Sequence, residues 1–96
     1  MTEAALQDAV AGLIRWLGLL AYHTYDSRRS GPGFPDLVIA GPGGHLFREL
    51  KTRTGKLSPA QQQWIERLGS AGADVAVWRP ADLTSGRIQA ELEAIR

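Results

Sequence analysis

The sequence predicts an α/β protein, with one mixed four-stranded sheet flanked by helices. Three observations predict it. Apolar residues recur at helical spacing near both ends and past the middle, short apolar runs of strand length stand between them, and a helical crossover separates the third run from the fourth. A crossover of that length favours parallel pairing somewhere in the sheet. The 96 residues suit one domain, 1–96, with a modest core.

Each element has its own signal. Leu6, Val10, Leu13, Ile14 and Leu17 place a helix over 3–18, with Thr2 as N-cap and Gly18 as a stop. Leu19 to Tyr25 is apolar and aromatic and reads as a strand. Residues 26–35 hold Ser27, Ser30, Gly31, Pro32 and Gly33 and read as a loop. Asp36 to Ala40 reads as a short buried strand, and Gly41-Pro42-Gly43-Gly44 as a turn into a second strand, His45 to Thr52; the pair forms a hairpin. Ser58-Pro59-Ala60-Gln61 starts a helix: Ser58 caps, Pro59 takes the first helical position and Gln61 completes a capping box. Trp64, Ile65 and Leu68 give that helix its apolar face, and Gly69 and Gly72 bracket its end. Ala73 to Arg79 reads as a buried strand. Ile88, Leu92 and Ile95 set one closing helix over 85–95.

Composition narrows the function classes. The apolar fraction of 44% and charged fraction of 22% are those of an ordinary globular chain. With no Cys, disulfides and Cys-ligated zinc are excluded. No apolar run approaches the roughly 18 residues of a membrane span, and Met1-Thr2-Glu3 lacks the start of a signal peptide. A cytoplasmic protein is therefore expected. The net charge is only +1, but six cations (Arg28, Arg29, Arg48, Lys51, Arg53, Lys56) face three acids between His23 and Leu57. If a metal ion neutralises two of those acids, the middle of the chain becomes a basic face suited to phosphate.

The hairpin carries the chemistry. A turn symmetric about Pro42-Gly43 sets Ala40 against His45, Val38 against Phe47 and Asp36 against Glu49. Side chains alternate along a strand, so Glu49 and Lys51 share a face with Phe47. Directly opposed carboxylates, with Cβ atoms roughly 4.5–5.5 Å apart, repel each other and destabilise a bare hairpin. A divalent cation between them removes that penalty. Mg²⁺ binds through one or two carboxylates plus phosphate, keeps several waters, and lowers the pKa of a bound water. Lys51 then orients or deprotonates the attacking water, or offsets charge on the phosphate. The Leu50 carbonyl lies between the Glu49 and Lys51 side chains as a further possible ligand.

Gly33-Phe34-Pro35-Asp36-Leu37 followed by Glu49-Leu50-Lys51 resembles the Pro-Asp…(Asp/Glu)-x-Lys signature of a nuclease superfamily. The finer resemblance is to its VRR-NUC branch, the virus-type replication and repair nucleases. It rests on the Gly-x-Pro-Asp-Leu strand entry, on Glu49-Leu50-Lys51-Thr52, on the Leu57 to Gln61 helix start, on Trp64 and on Val77-Trp78-Arg79-Pro80, spanning about residues 3–80. A lone Glu-x-Lys is weak; the ordered set is specific. The resemblance implies a restriction-endonuclease-like α-β-β-β-α-β core, Mg²⁺ or Mn²⁺ dependence and cleavage of DNA. It implies Asp36 and Glu49 as metal ligands, Lys51 as the catalytic lysine, Glu3 as the first-helix acid and Gln61 as the second-helix glutamine. It further implies a stand-alone enzyme of a bacterium or a phage-infected cell. Such an enzyme would be a homodimer acting on branched DNA such as Holliday junctions or flaps, in replication, recombination or repair.

Each assignment has a plainer alternative. Asp36 suits a turn, Glu49 and Lys51 an edge strand, Glu3 a helix dipole and Gln61 its capping box. Arg28, Arg29, Arg53 and Lys56 are phosphate-contact candidates, with Ser27 and Ser30 beside the arginine pair. His23 reads as a packing residue, His45 as a surface one, and Trp64 and Trp78 as core. Trp16 sits beside the helix stripe, at the edge of solvent or a dimer contact. The rival functions are a non-catalytic DNA-binding module, a restriction-type nuclease and an accessory subunit of a replication complex. The intact acid-acid-lysine set argues against the first.

Overall fold

The computed structural model describes residues 1–24 and 31–96. Eight elements follow one another: α1 (Glu3–Trp16), β1 (Leu20–His23), β2 (Leu37–Gly41), β3 (Gly44–Leu50), α2 (Pro59–Ser70), β4 (Val75–Trp78), α3 (Pro80–Thr84) and α4 (Arg87–Ala94). The four strands form one sheet in the order β1-β2-β3-β4. The first two pairings are antiparallel and β3 pairs with β4 in parallel, because α2 carries the chain back across the sheet. The α/β class and mixed four-stranded sheet are those expected. No helix among the described residues is long and apolar enough to cross a membrane.

Local chemistry sets the ends of the helices. The Thr2 hydroxyl accepts from the Ala5 N–H at 3.1 Å and starts α1. At α2 the box is complete: Ser58 Oγ accepts from the Gln61 N–H at 3.2 Å, and Gln61 Oε1 accepts from the Ser58 N–H at 2.9 Å. The closing region differs from the single helix expected over 85–95. Pro80 begins a separate short helix, in which an Asp82 carboxylate oxygen accepts from the Arg79 N–H at 2.7 Å. Gly86, at φ +86°, then ends that turn and starts α4.

One face of the sheet holds the main core. Leu37 and Ile39 of β2, Leu46 and Leu50 of β3 and Trp78 of β4 pack with Leu6, Val10 and Ile14 of α1 and with Ile88 and Leu92 of α4. All are buried. Arg48 projects into this face and is 2% exposed. Its guanidinium bonds Asp74 Oδ1 at 2.8 Å, Glu91 Oε1 at 2.9 Å and the carbonyls of Phe47 and Asp74 at 2.9 and 2.8 Å, and lies 5.2 Å from the Trp78 ring centre. Counting Arg48 in a basic face therefore needs correction, because its charge is enclosed and answered by two acids.

The other face is covered by α2 over part of its area. Phe34 bridges it, 6.2 Å from the Phe47 ring and 5.0 Å from the Trp64 ring, both edge-on. Trp64 is thus half-buried, whereas Trp78 is fully buried. Towards β1 that face carries Leu20 and Tyr22, 78% and 67% exposed.

Candidate active site

The hairpin fixes the site. Its pairs are Leu37 with Arg48, Val38 with Phe47, Ile39 with Leu46 and Ala40 with His45, which is the register expected from the turn. Just beyond the last pair, Asp36 adjoins Leu37 and Glu49 adjoins Arg48, and the charge of Asp36 reaches Glu49. Gly41 and Gly43 are required at the turn because Ile95 lies against it: a Cβ on Gly41 would fall 2.2 Å from the Ile95 carbonyl oxygen. The Gly43 N–H donates to that same oxygen at 2.9 Å.

Asp36 is held at both ends of the residue. Its carbonyl accepts from the Thr24 N–H at 2.9 Å, and its carboxylate oxygen Oδ2 accepts from the Leu50 N–H at 2.8 Å. The loop before it is pinned by Gly33, at φ +88°. A Cβ there would lie 2.4 Å from the Ala60 carbonyl carbon, so the strand entry presses directly on the first turn of α2.

Glu49 is 1% exposed, and neither of its carboxylate oxygens has a hydrogen-bond partner among the described residues. Burial pushes its pKa up to about 8, and the charge of Asp36 and the proton the two acids can share push it the same way. Lys51 pulls it down and Glu3 raises it further. Ionised, this carboxylate is a buried charge without a donor; protonated, it answers only to Asp36. Such a group costs several kcal/mol unless something positive meets it.

The other sequence candidates fall as follows. Lys51 is half-buried beyond the end of β3, where its N–H donates to the Trp78 carbonyl at 3.0 Å. Glu3 is exposed in the first turn of α1, near enough for its charge to reach Glu49. Among the described residues no three His, Cys, Asp or Glu side chains converge on one point, so Asp36 and Glu49 are the two carboxylates in hand. The Gln61 side-chain oxygen is occupied in its capping box. Arg53 and Lys56 are exposed on the loop between β3 and α2. Ser27, Arg28, Arg29 and Ser30 lie outside the described residues. His45 is exposed and meets the Phe47 ring edge-on at 5.8 Å.

Sequence reasoning missed the anchoring of the loop after Lys51. Arg79 Nη1 donates to the carbonyls of Thr52 and Gly55, both at 2.7 Å, and fixes the loop from the end of β4. Arg79 is the last residue of the strand expected over Ala73 to Arg79 and lies just past the observed β4; a basic residue leaving a strand parallel to β3 is the available signal.

The family model of the VRR-NUC domain matches residues 2–82. The chain belongs to the VRR-NUC family. Among solved structures, a VRR-NUC domain is similar at a TM-score of 0.76 with 26% identity, covering 93% of this chain and 97% of that one. A VRR-NUC domain protein is similar at 0.69 with 25% identity, covering 98% and 90%. No curated protein matches the sequence. The VRR-NUC assignment makes this a nuclease-type domain with DNA as the implied substrate and divalent metal as the suggested cofactor.

Proposed function

We propose that this VRR-NUC domain is a metal-dependent DNA endonuclease with Asp36, Glu49 and Lys51 as its catalytic centre. The observation that carries the reading is Glu49, a buried carboxylate with two unpartnered oxygens beside a second carboxylate. A donor set of this kind fits a hard cation, Mg²⁺ or Mn²⁺. Asp36 and Glu49 would hold it, with the Leu50 carbonyl and water completing its shell and Glu3 adding charge from α1. When bound, such an ion supplies an activated water and stabilises charge growing on the phosphate.

The chain's own residues do the rest. Asp36 is kept in place by the Leu50 N–H, so the two carboxylates stay on one side of the hairpin. Lys51, two residues from Glu49 on the same face, holds the attacking water or the phosphate oxygen opposite the carboxylates. Gln61 at the head of α2, its oxygen fixed by Ser58, would offer its amide nitrogen to substrate. Arg53 and Lys56 contact backbone phosphates.

The finer version of the proposal is a structure-selective enzyme, cutting four-way junctions or flaps as a homodimer with two sites for paired cuts. Trp16, Leu20 and Tyr22, 72%, 78% and 67% exposed, supply apolar surface for self-association. Labelled linear duplex, single-strand, flap and four-way-junction DNA, offered to the purified protein in Mg²⁺, Mn²⁺ and EDTA, tests this. Cutting that needs metal and prefers branched DNA is expected, with light scattering reporting a dimer. Binding without cutting on every substrate would favour a non-catalytic or accessory role.

A further inference from the structure

Beside the catalytic cluster lies a shallow, open cleft of about 430 Å³ whose wall is formed by Arg53, Thr54, Lys56, Gln62 and Arg79, with no carboxylate among the described residues. It adjoins Lys51 directly, since a Cβ on Gly55, which also lines it, would lie 3.5 Å from Lys51 Cδ. The loop is not slack. Arg79 grips the Thr52 and Gly55 carbonyls at 2.7 Å each, and the Gly55 N–H donates to Thr52 Oγ1 at 3.0 Å.

Those bonds dispose the charge in a particular way. The two loop carbonyls accept from Arg79, so their negative ends are already answered by a cation. The Arg79 guanidinium has no carboxylate partner among the described residues: of the nearby Asp82, one oxygen takes the Arg79 N–H and the other pairs with Arg87. Three cations therefore surround one concavity and repel one another, as the two carboxylates do across the hairpin. An anion relieves that repulsion, and the fixed loop lets it bind without a large ordering cost.

We propose that this cleft is a second anion subsite that takes a backbone phosphate of the nucleic-acid strand next to the scissile one, on the Lys51 side. Arg53 and Lys56 supply the charge, and Thr54 and Gln62 supply neutral hydrogen bonds. Arg79 is the positioning residue that holds the loop. The location beside a scissile phosphate rests on the nuclease reading; the anion site itself does not.

The test is fluorescence anisotropy of labelled duplex DNA with the intact protein in Ca²⁺, across about 50 to 200 mM salt, with cleavage in Mg²⁺ followed alongside. Arg53→Gln/Lys56→Gln, both at exposed side chains, should weaken binding about tenfold and make the salt slope shallower by about 1 to 2. Arg15→Gln/Arg96→Gln removes the same charge elsewhere and should leave affinity and slope as in wild type. A single neutral methylphosphonate linkage, moved along the strand, should weaken wild-type binding at one position where the Arg53→Gln/Lys56→Gln variant is indifferent. Unchanged affinity and slope in that variant, an equal loss in the Arg15→Gln/Arg96→Gln control, or no position of lost sensitivity would overturn the subsite. Wild-type cutting with an unaltered Arg53→Gln/Lys56→Gln variant would sink the subsite and leave the nuclease standing. Weakened binding in that variant with no wild-type cutting would do the reverse.

Discussion

Arg48 and Glu49 are neighbours on β3, both buried to within 2% of complete, and they point to opposite faces of the sheet. Their surroundings could hardly differ more. Arg48 meets two acids, two carbonyls and an indole face. Glu49 meets no donor at all among the described residues. On the Arg48 side, burial works to raise the Glu91 carboxyl, but hydrogen bonds from Trp78, Arg87 and Arg48 outweigh it and hold it below the ordinary carboxylate value. On the other side no hydrogen bond offsets the burial of Glu49, and only the charge of Lys51 opposes it. A charge that builds the fold is enclosed with its partners, and the carboxylate proposed to take a ligand is enclosed without one. The first also serves the second: the Arg48 network ties β3 to the start of β4 and to α4, which keeps the strand rigid beneath the unanswered carboxylate.

The largest effects should separate the two sides by readout. Lys51→Ala and Glu49→Gln are expected to cut DNA about a thousandfold or more slowly while keeping the fold, measured by single-turnover cleavage and circular dichroism. Arg48→Ala should do the opposite. It removes the buried hydrogen bonds to Asp74, Glu91 and the two carbonyls, though Glu91 keeps its bonds from Trp78 and Arg87, and is expected to lower stability by about 2–3 kcal/mol in urea unfolding.

The dependence on pH sharpens the contrast, because the two carboxylates carry opposite signs. Below pH 4.5 Glu49 is protonated both folded and unfolded. From 4.5 to about 8 the unfolded chain releases that proton and the fold retains it. Glu49 therefore subtracts stability as pH rises through that window, by up to about 1.4 kcal/mol per pH unit, and the full penalty stands above it. Metal-free Glu49→Gln should lose that slope and melt higher than wild type at alkaline pH. Glu91, held low, contributes stability that is present above its unfolded value and lost on acidification. A smaller effect is expected at Gly33→Ala. It forces a side chain into positive φ against the α2 backbone, with a cost of about 1–3 kcal/mol and a displaced Asp36 that lowers kcat.

How much of this was legible in the sequence follows from the reach of each interaction. The hairpin register was readable because the turn between Ala40 and His45 is short and symmetric, and the nearness of Asp36 to Glu49, just past the last pair, came with it. The capping box at Ser58 and Gln61 is local in the same sense. Arg48 was misplaced on a basic face because its partners lie 26 and 43 positions away, beyond any periodicity. The grip of Arg79 on Thr52 and Gly55 spans 27 and 24 positions and was invisible for the same reason. The split closing helix is a local signal the sequence reading lacks: Pro80 and Asp82 form an N-terminal turn of their own just past the strand expected over Ala73 to Arg79.

The most direct test of the account is thermal unfolding of wild type and Glu49→Gln with and without Mn²⁺, at about pH 6 and about pH 8, since a metal must displace the proton that Glu49 holds. Mn²⁺ should raise the wild-type Tm, more at the higher pH, and leave Glu49→Gln where it was. An equal Mn²⁺ shift in both proteins, or none in wild type at either pH, would contradict it.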